Sequence, residues 1–148
     1  MSTERNKAIV ERFDGLLHTR DFGQLDELCS PDMVNHALAP NRPAGLDGTR
    51  QWLETEGRNF RSFPWTELLV VAEHDLVVQF GTRAHDWPGG QFRGFDVPPG
   101  RCERGTAFMY RISNDRITER WAVNDLLAML LQLGAISAPS PRPVNAKI

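Results

Sequence analysis

Near Pro64 the spacing of apolar residues switches from about 3.6 to about 2, which constrains the fold more than any other feature of the chain. Before the switch, Ile9, Phe13, Leu16 and Leu17 fall at helical spacing with Glu4, Arg5, Lys7, Glu11 and Arg12 between them. That pattern predicts an amphipathic first helix with Thr3 placed to cap it. A shorter helix is expected over Asp21–Cys29, through Phe22, Leu25 and Leu28, and stopped by Ser30-Pro31. Asp32–His36 reads as a short extended piece and Pro40–Gly45 as a loop. Asp47 is placed to cap a third helix carrying Trp52, Leu53, Phe60 and Phe63, with Pro64 ending it.

After the switch, Leu68–Ala72 and Leu76–Ala84 are β-rich runs joined by Glu73-His74-Asp75. Thr106–Ile112 and Ile117–Asn124 form a second pair across Ser113-Asn114-Asp115. Trp87-Pro88-Gly89-Gly90 and Pro98-Pro99-Gly100 carry turn chemistry between the pairs. Asp125 can cap a last apolar helix, Leu126–Leu133, that Gly134 ends. Helices followed by antiparallel strands make an α+β protein. Gly81, Gly94 and Gly105 are positions where the sheet can bend, so the expected architecture is a cone-shaped barrel. Helices packed on its curved antiparallel sheet would enclose a cavity. At 148 residues the chain is about one domain long; residues 1–136 read as that domain and 137–148 as a Pro-rich C-terminal tail.

Charge and motif content exclude several function classes. With 17 basic and 19 acidic side chains, a net charge of −2 and no cationic run, a nucleic-acid binder is not expected. No apolar run approaches the ~20 residues of a membrane span, and the polar opening from Met1 to Lys7 has no signal-peptide core. Cys29 and Cys102 make no disulfide framework, which leads to the expectation of structural thiols in a reducing cytoplasm. HExxH, CxxC, GxGxxG and GxxxxGK[ST] are absent, so neither a metal site nor a nucleotide site is expected.

Four patches resemble one known family. Asn6 through Leu28 is similar to a helix, a small polar turn and "D-x-L-x-x-L"; Pro31-Asp32-Met33-Val34-Asn35-His36 is similar to "P-D-x-V-x-H". His85 through Gly100 resembles "T-H-x-G-x-F-x-G-x-P-P-T-G", with an extra Trp87-Pro88-Gly89 region and Asp96 before the prolines. Asp115 through Trp121, then Asp125 and Gln132-Leu133-Gly134, resembles "D-G-K-I-x-E-x-W-x-x-x-D-x-x-x-x-x-x-Q-L-G". Together and in order, they resemble the SnoaL-like polyketide cyclases of the nuclear transport factor 2-like (cystatin-like cone) superfamily. The resemblance implies a homodimer formed through the sheets and a dry pocket between helices and concave sheet. It also implies no metal or organic cofactor and an apolar or polycyclic small-molecule substrate. Aldol cyclases of the family resemble one another in a pocket Asp on the last strand beside the Trp; here that position holds Ala122.

Proton transfer in such a pocket needs a group poised near neutrality, and histidine is the side chain most easily poised there. His36 and His85 fall in the family patches at element ends facing the expected cavity, whereas His18 and His74 read as surface residues. Along the last strand Ile117, Glu119, Trp121 and Val123 share one face, and Thr118, Arg120, Ala122 and Asn124 the other. With Ala122 in the pocket, Arg120 can stabilise an oxyanion and Asn124 orient a carbonyl. Glu119 is the rival acid–base candidate, with Trp121 beside the substrate, if a bulge reverses the parity; otherwise both belong to the dimer-facing side. Trp52, Phe108 and Met109 are candidate substrate-binding walls, with Phe60 and Phe80 as further core or wall residues. Asp86 is expected to point away from His85. The expected function is a cofactor-independent cyclase or isomerase of a polyketide-like natural-product intermediate. The alternatives are an epoxide-opening enzyme with an Asp–Arg–Asp site and a non-catalytic small-molecule binder.

Overall fold

Helix α1 spans Thr3–Thr19 and starts one residue earlier than expected: Ser2, not Thr3, caps it, its Oγ accepting from the Arg5 amide at 3.2 Å. The computed structural model describes residues 2–55 and 61–140, without the side chains of 61 and 62. The helix expected over Asp21–Cys29 is a 3-10 turn, Phe22–Gln24, followed by the single turn of α2, Leu25–Leu28. Cys29 already opens strand β1 (Cys29–Asn35), because Pro31 pushes Ser30 into extended backbone. Helix α3 covers Leu46–Glu54 with Gly45 at its N-cap, so Asp47 sits inside the first turn instead of capping it.

Phe63 and Pro64, expected at the end of α3, belong to β2 (Arg61–Glu73); Phe60 lies outside the described residues. Pro64 is tolerated because β2 is an edge strand and the ladder shifts register between Ser62 and Trp65, where a missing N–H forfeits no bond. The chain continues through β3 (Leu76–Trp87), a small hairpin of β4 (Gly90–Phe92) and β5 (Phe95–Val97), β6 (Gly100–Ser113) and β7 (Arg116–Asn124). Helix α4, Leu126–Gln132, closes the fold. Asp125 caps it as expected, accepting from the Ala128 amide at 3.0 Å, a contact that typically stabilises by about 0.5–2 kcal/mol. Of the tail, 137–140 carry no regular element and 141–148 lie outside the described residues.

Among the described residues, five strands form one curved, unclosed sheet in the order β1-β7-β6-β3-β2. The expected α+β cone stands, with one difference at its edge. β1 pairs with β7 in parallel, which the long crossover through α3 and the intervening strands permits. Bulges generate the curvature. The β2–β3 ladder shifts on both sides of Trp65, and there Gly81 lets the strands approach: a Cβ on it would stand 1.9 Å from the Glu67 carbonyl oxygen. In β7, Ile112 pairs with Ile117 and Arg111 with Glu119, leaving Thr118 without a counterpart. Ile117 therefore faces the core, on the same side as Arg120, and not with Glu119 as strict alternation predicts.

The core lies between the helices and the concave face, with Val10, Phe13, Leu25, Leu28, Tyr110 and Ile117 among its buried members. A second cluster, Trp87, Val97, Cys102, Met129, Leu130 and Leu133, fastens the hairpin and α4 to one end of the sheet. The convex face carries two apolar rows defined by the pairing: Leu69–Phe80–Ala107–Val123 and Val71–Val78–Met109–Trp121. Their exposure is high, 57% at Phe80 and 71% at Val123.

Candidate functional site

A cavity of about 540 Å³ lies between the concave face and the helices, a volume suited to a small organic molecule. Alternation along three neighbouring strands supplies its floor: Arg83, His85 and Trp87 from β3, Arg104, Thr106 and Phe108 from β6, Arg120, Ala122 and Asn124 from β7. Leu17, Phe22, Trp52 and Leu53 close it from the helical side, and Gln91, Phe92 and Arg93 from the hairpin. Its charge is one-sided. Arg20, Arg83, Arg93, Arg104 and Arg120 line it, and among the described residues no Asp or Glu does.

Arg83 is neutralised where it stands. Its Nη2 donates to both oxygens of Asp14, at 2.8 and 2.7 Å, and its guanidinium lies 4.1 Å from the centroid of the Trp65 ring. Trp65 Nε1 donates to the same carboxylate at 3.0 Å, so Asp14 ties α1 to β2 and β3 beneath the cavity. Arg104 is half-buried, and desolvation lowers its pKa; its Nη1 lies 3.7 Å from Met129 Sδ. Thr106 Oγ1 donates to Asn124 Oδ1 at 3.0 Å, orienting that amide.

His85 is buried, and its pKa is pushed down to about 3, first by burial and then by the positive fields of Arg104, Arg83 and His18. It is thus a neutral imidazole at pH 7. In the unfolded chain the same ring binds a proton below about pH 6.5, so the unfolded state gains protons first as pH falls. Stability is expected to drop progressively from about pH 6.5 towards about 3. Urea midpoints measured at pH 7, 5 and 4 should show that fall, and His85→Gln should flatten it; equal slopes in both proteins would refute the assignment.

Of the residues singled out from the sequence, His85, Arg120, Asn124, Trp52 and Phe108 meet in this cavity, together with Ala122. His36, Glu119, Trp121 and Met109 do not line it. The bulge at Thr118 turns Ile117 inward and leaves Glu119 and Trp121 on the outer face beside Met109. There His36 Nε2 lies 2.8 Å from Glu119 Oε1 and its ring stacks on Trp121, centroids 4.9 Å apart. Glu119 Oε2 accepts from Arg111 Nε at 3.0 Å, and Arg111 Nη1 donates to Asp75 Oδ2 at 2.8 Å. Hydrogen bonds from His36 and then Arg111 hold the Glu119 carboxyl below its ordinary pKa. Asp86 points away from His85, towards Arg101 at 3.4 Å. Cys29 and Cys102 are buried and unbridged, and burial raises both thiols, Cys29 to about 12.

Asp14, Arg83 and Arg104 are among the site residues that reading the sequence missed. The signal lay in parity. Asp14 falls on the apolar stripe of α1 with Val10 and Leu17, and Arg83 falls in step with Val77 and Gln79 on β3. Opposite charges on two inward-facing surfaces point to a buried pair.

Among the described residues no helix is long and apolar enough to cross a membrane, and no three His, Cys, Asp or Glu side chains gather as metal ligands. No protein of curated function matches the sequence. Solved structures match it over most of its length. One is TsrD from Streptomyces laurentii, 21% identical with a TM-score of 0.75, covering 92% of this chain and 99% of its own. A SnoaL-like polyketide cyclase from Agrobacterium tumefaciens is 20% identical with a TM-score of 0.73 over 90% and 100% of the two chains. IdmH, a putative polyketide cyclase from Streptomyces antibioticus, is 24% identical with a TM-score of 0.66 over 87% and 98%. These likenesses establish the cone fold, and the sequence pattern of one family spans residues 7–133 of the chain. The chain belongs to the SnoaL-like polyketide cyclase family.

Proposed function

We propose that the protein is a cyclase or isomerase of a polyketide-like intermediate, with His85 moving the proton and a cationic wall receiving the charge. The observation that carries this reading is a cavity into which a neutral imidazole and several arginines project together. His85 would accept a proton from the carbon beside a substrate carbonyl, the C–H electron pair passing to the carbonyl oxygen as an enolate. Ring closure follows when that carbon attacks a second substrate carbonyl, whose π pair passes to its oxygen and takes the proton from the imidazolium; reprotonation of the carbon by the imidazolium instead completes an isomerisation. In the free protein His85 is a weak base. Negative charge growing beside it offsets the fields of Arg104 and Arg83 and raises its basicity as the reaction proceeds. Arg104 faces that charge in a low-dielectric site, where fixed charges act strongly, Arg120 lines the same wall, and Asn124 offers an amide to a substrate carbonyl.

The aspartate that aldol cyclases of the family share is replaced by Ala122, which lines the cavity. With alanine there, proton transfer on this chain would fall to another residue, and His85 is the imidazole that lines the cavity. An epoxide-opening reaction through paired aspartates finds no support, since no Asp or Glu lines the cavity among the described residues. Proton NMR of aryl ketones in D2O tests the reading. The protein should accelerate exchange of the α-hydrogens, and His85→Ala should reduce that acceleration by about 100-fold or more. No acceleration by the wild-type chain would leave a small-molecule carrier as the function.

We also propose that the convex face docks on a second copy of the chain. Its two exposed apolar rows form a contiguous patch of the kind that marks an interaction surface. A patch running across the strands can serve both members of a two-fold pair.

A further inference from the structure

Arg120 is the cavity charge that the described protein leaves unanswered. The residue is only 4% exposed, and it lines the cavity. Unlike Arg83, it has no acidic partner among the described residues. Its Nη1 donates to Asn35 Oδ1 over a long 3.5 Å, and its Nε has no hydrogen-bond partner among the described residues. Asn35 is a poor substitute for a carboxylate: its Oδ1 already accepts the Ala37 amide at 3.1 Å, and its Nδ2 donates to Thr49 Oγ1 at 3.0 Å.

The remaining surroundings do not supply a negative charge. The guanidinium lies 4.6 Å from the centroid of Phe108 and 5.8 Å from that of Tyr110, contacts that favour a cation without neutralising it. Tyr110 and Cys29 are the nearby groups able to ionise. Burial raises the pKa of both, Cys29 to about 12, so both stay neutral. Arginine does not shed its proton to escape burial, and an unpaired buried charge is costly. A ligand is the natural source of the missing anion.

We infer that the cavity takes an aromatic or polycyclic carboxylate, its anionic end paired with the Arg120 fork and its rings against Trp52, Trp87 and Phe108. A planar guanidinium matches a carboxylate through two parallel hydrogen bonds. A neutral ester or amide of the same shape leaves the charge buried and unpaired. The inference rests on the reading above for the cavity being the substrate site, and it divides the labour within it. Arg120 anchors charge the substrate brings, and Arg104 meets charge that develops during reaction.

Isothermal titration calorimetry with 2-naphthoate and 2-naphthamide tests this on the full chain, because the two share a ring body and differ in charge. The acid should bind at least about tenfold more tightly than the amide. Arg120→Met should abolish that preference while retaining amide binding, and should raise the thermal midpoint of the ligand-free protein. Should the methionine variant lose both ligands, Arg120→Gln decides by the same ratio. Equal binding of acid and amide, binding of neither to the wild type, or a preference that survives without Arg120 (which would place it on Arg20 and Arg93) overturns the inference. Binding is read here without turnover. Acid binding through Arg120 without any deuterium exchange would sink the proposed reaction alone, and exchange without acid preference would sink the carboxylate alone.

Discussion

Asp14→Ala is expected to destabilise the protein by about 3–5 kcal/mol, the range for breaking one side of a buried ion pair. The reason is asymmetry. The Arg83 side chain is 2% exposed and gives both its short hydrogen bonds to Asp14, so alanine strands a buried guanidinium without its carboxylate. Trp65 loses its indole acceptor in the same substitution. For a chain of this length each kcal/mol shifts the midpoint by roughly 2–4 °C, so the loss should appear as a fall of roughly 6–20 °C. The double variant Asp14→Leu with Arg83→Met should recover most of it, since apolar residues of similar volume can replace a buried pair at little cost. Differential scanning calorimetry on the three proteins checks the prediction; a loss under about 1 kcal/mol in the single variant would count against a structural role for the pair.

Val123→Asp is expected to convert the chain from dimer to monomer. Val123 ends the row Leu69–Phe80–Ala107–Val123, and its side chain is among the most exposed of the large apolar groups. In a two-fold interface every substitution occurs twice, so two carboxylates would have to be desolvated against apolar surface. Several kcal/mol for the pair corresponds to a dimer dissociation constant raised by about 1,000-fold or more. Sedimentation velocity at micromolar concentration should show the wild-type dimer and the variant monomer. Far-ultraviolet circular dichroism should be unchanged, because Val123 contributes nothing to the core. A wild-type monomer, or a dimer that tolerates aspartate, removes this face as the docking surface.

Much of this arrangement was legible from residue spacing. The change of period at Pro64 divides helices from strands, and the turns at Glu73-His74-Asp75 and Ser113-Asn114-Asp115 fall between the observed strands. Inward placement of Arg120, Ala122 and Asn124 follows from alternation once one of them is assigned to the pocket. What spacing could not carry is whatever depends on irregularity or on distance along the chain. Pro64 looks like a helix stop because its tolerance on an edge strand is a property of the assembled sheet. The Asp14–Arg83 pair joins residues far apart in sequence; parity marks each as inward-facing, and only the assembled fold brings the two together. His36 sits in a family patch, yet its ring stacks outside against Trp121, because backbone position and side-chain direction are separate facts.

The unmatched Thr118 in β7 has a consequence for the polarity of the chamber. Were that ladder regular with Ile117 still directed into the core, Glu119 and Trp121 would point into the hollow, and Arg120 would stand outside among the residues of the convex face. One surplus residue in a strand therefore decides whether β7 gives the chamber an arginine or a glutamate. A related chain could exchange that one wall charge for its opposite by indel alone, with every side chain of the strand left as it is.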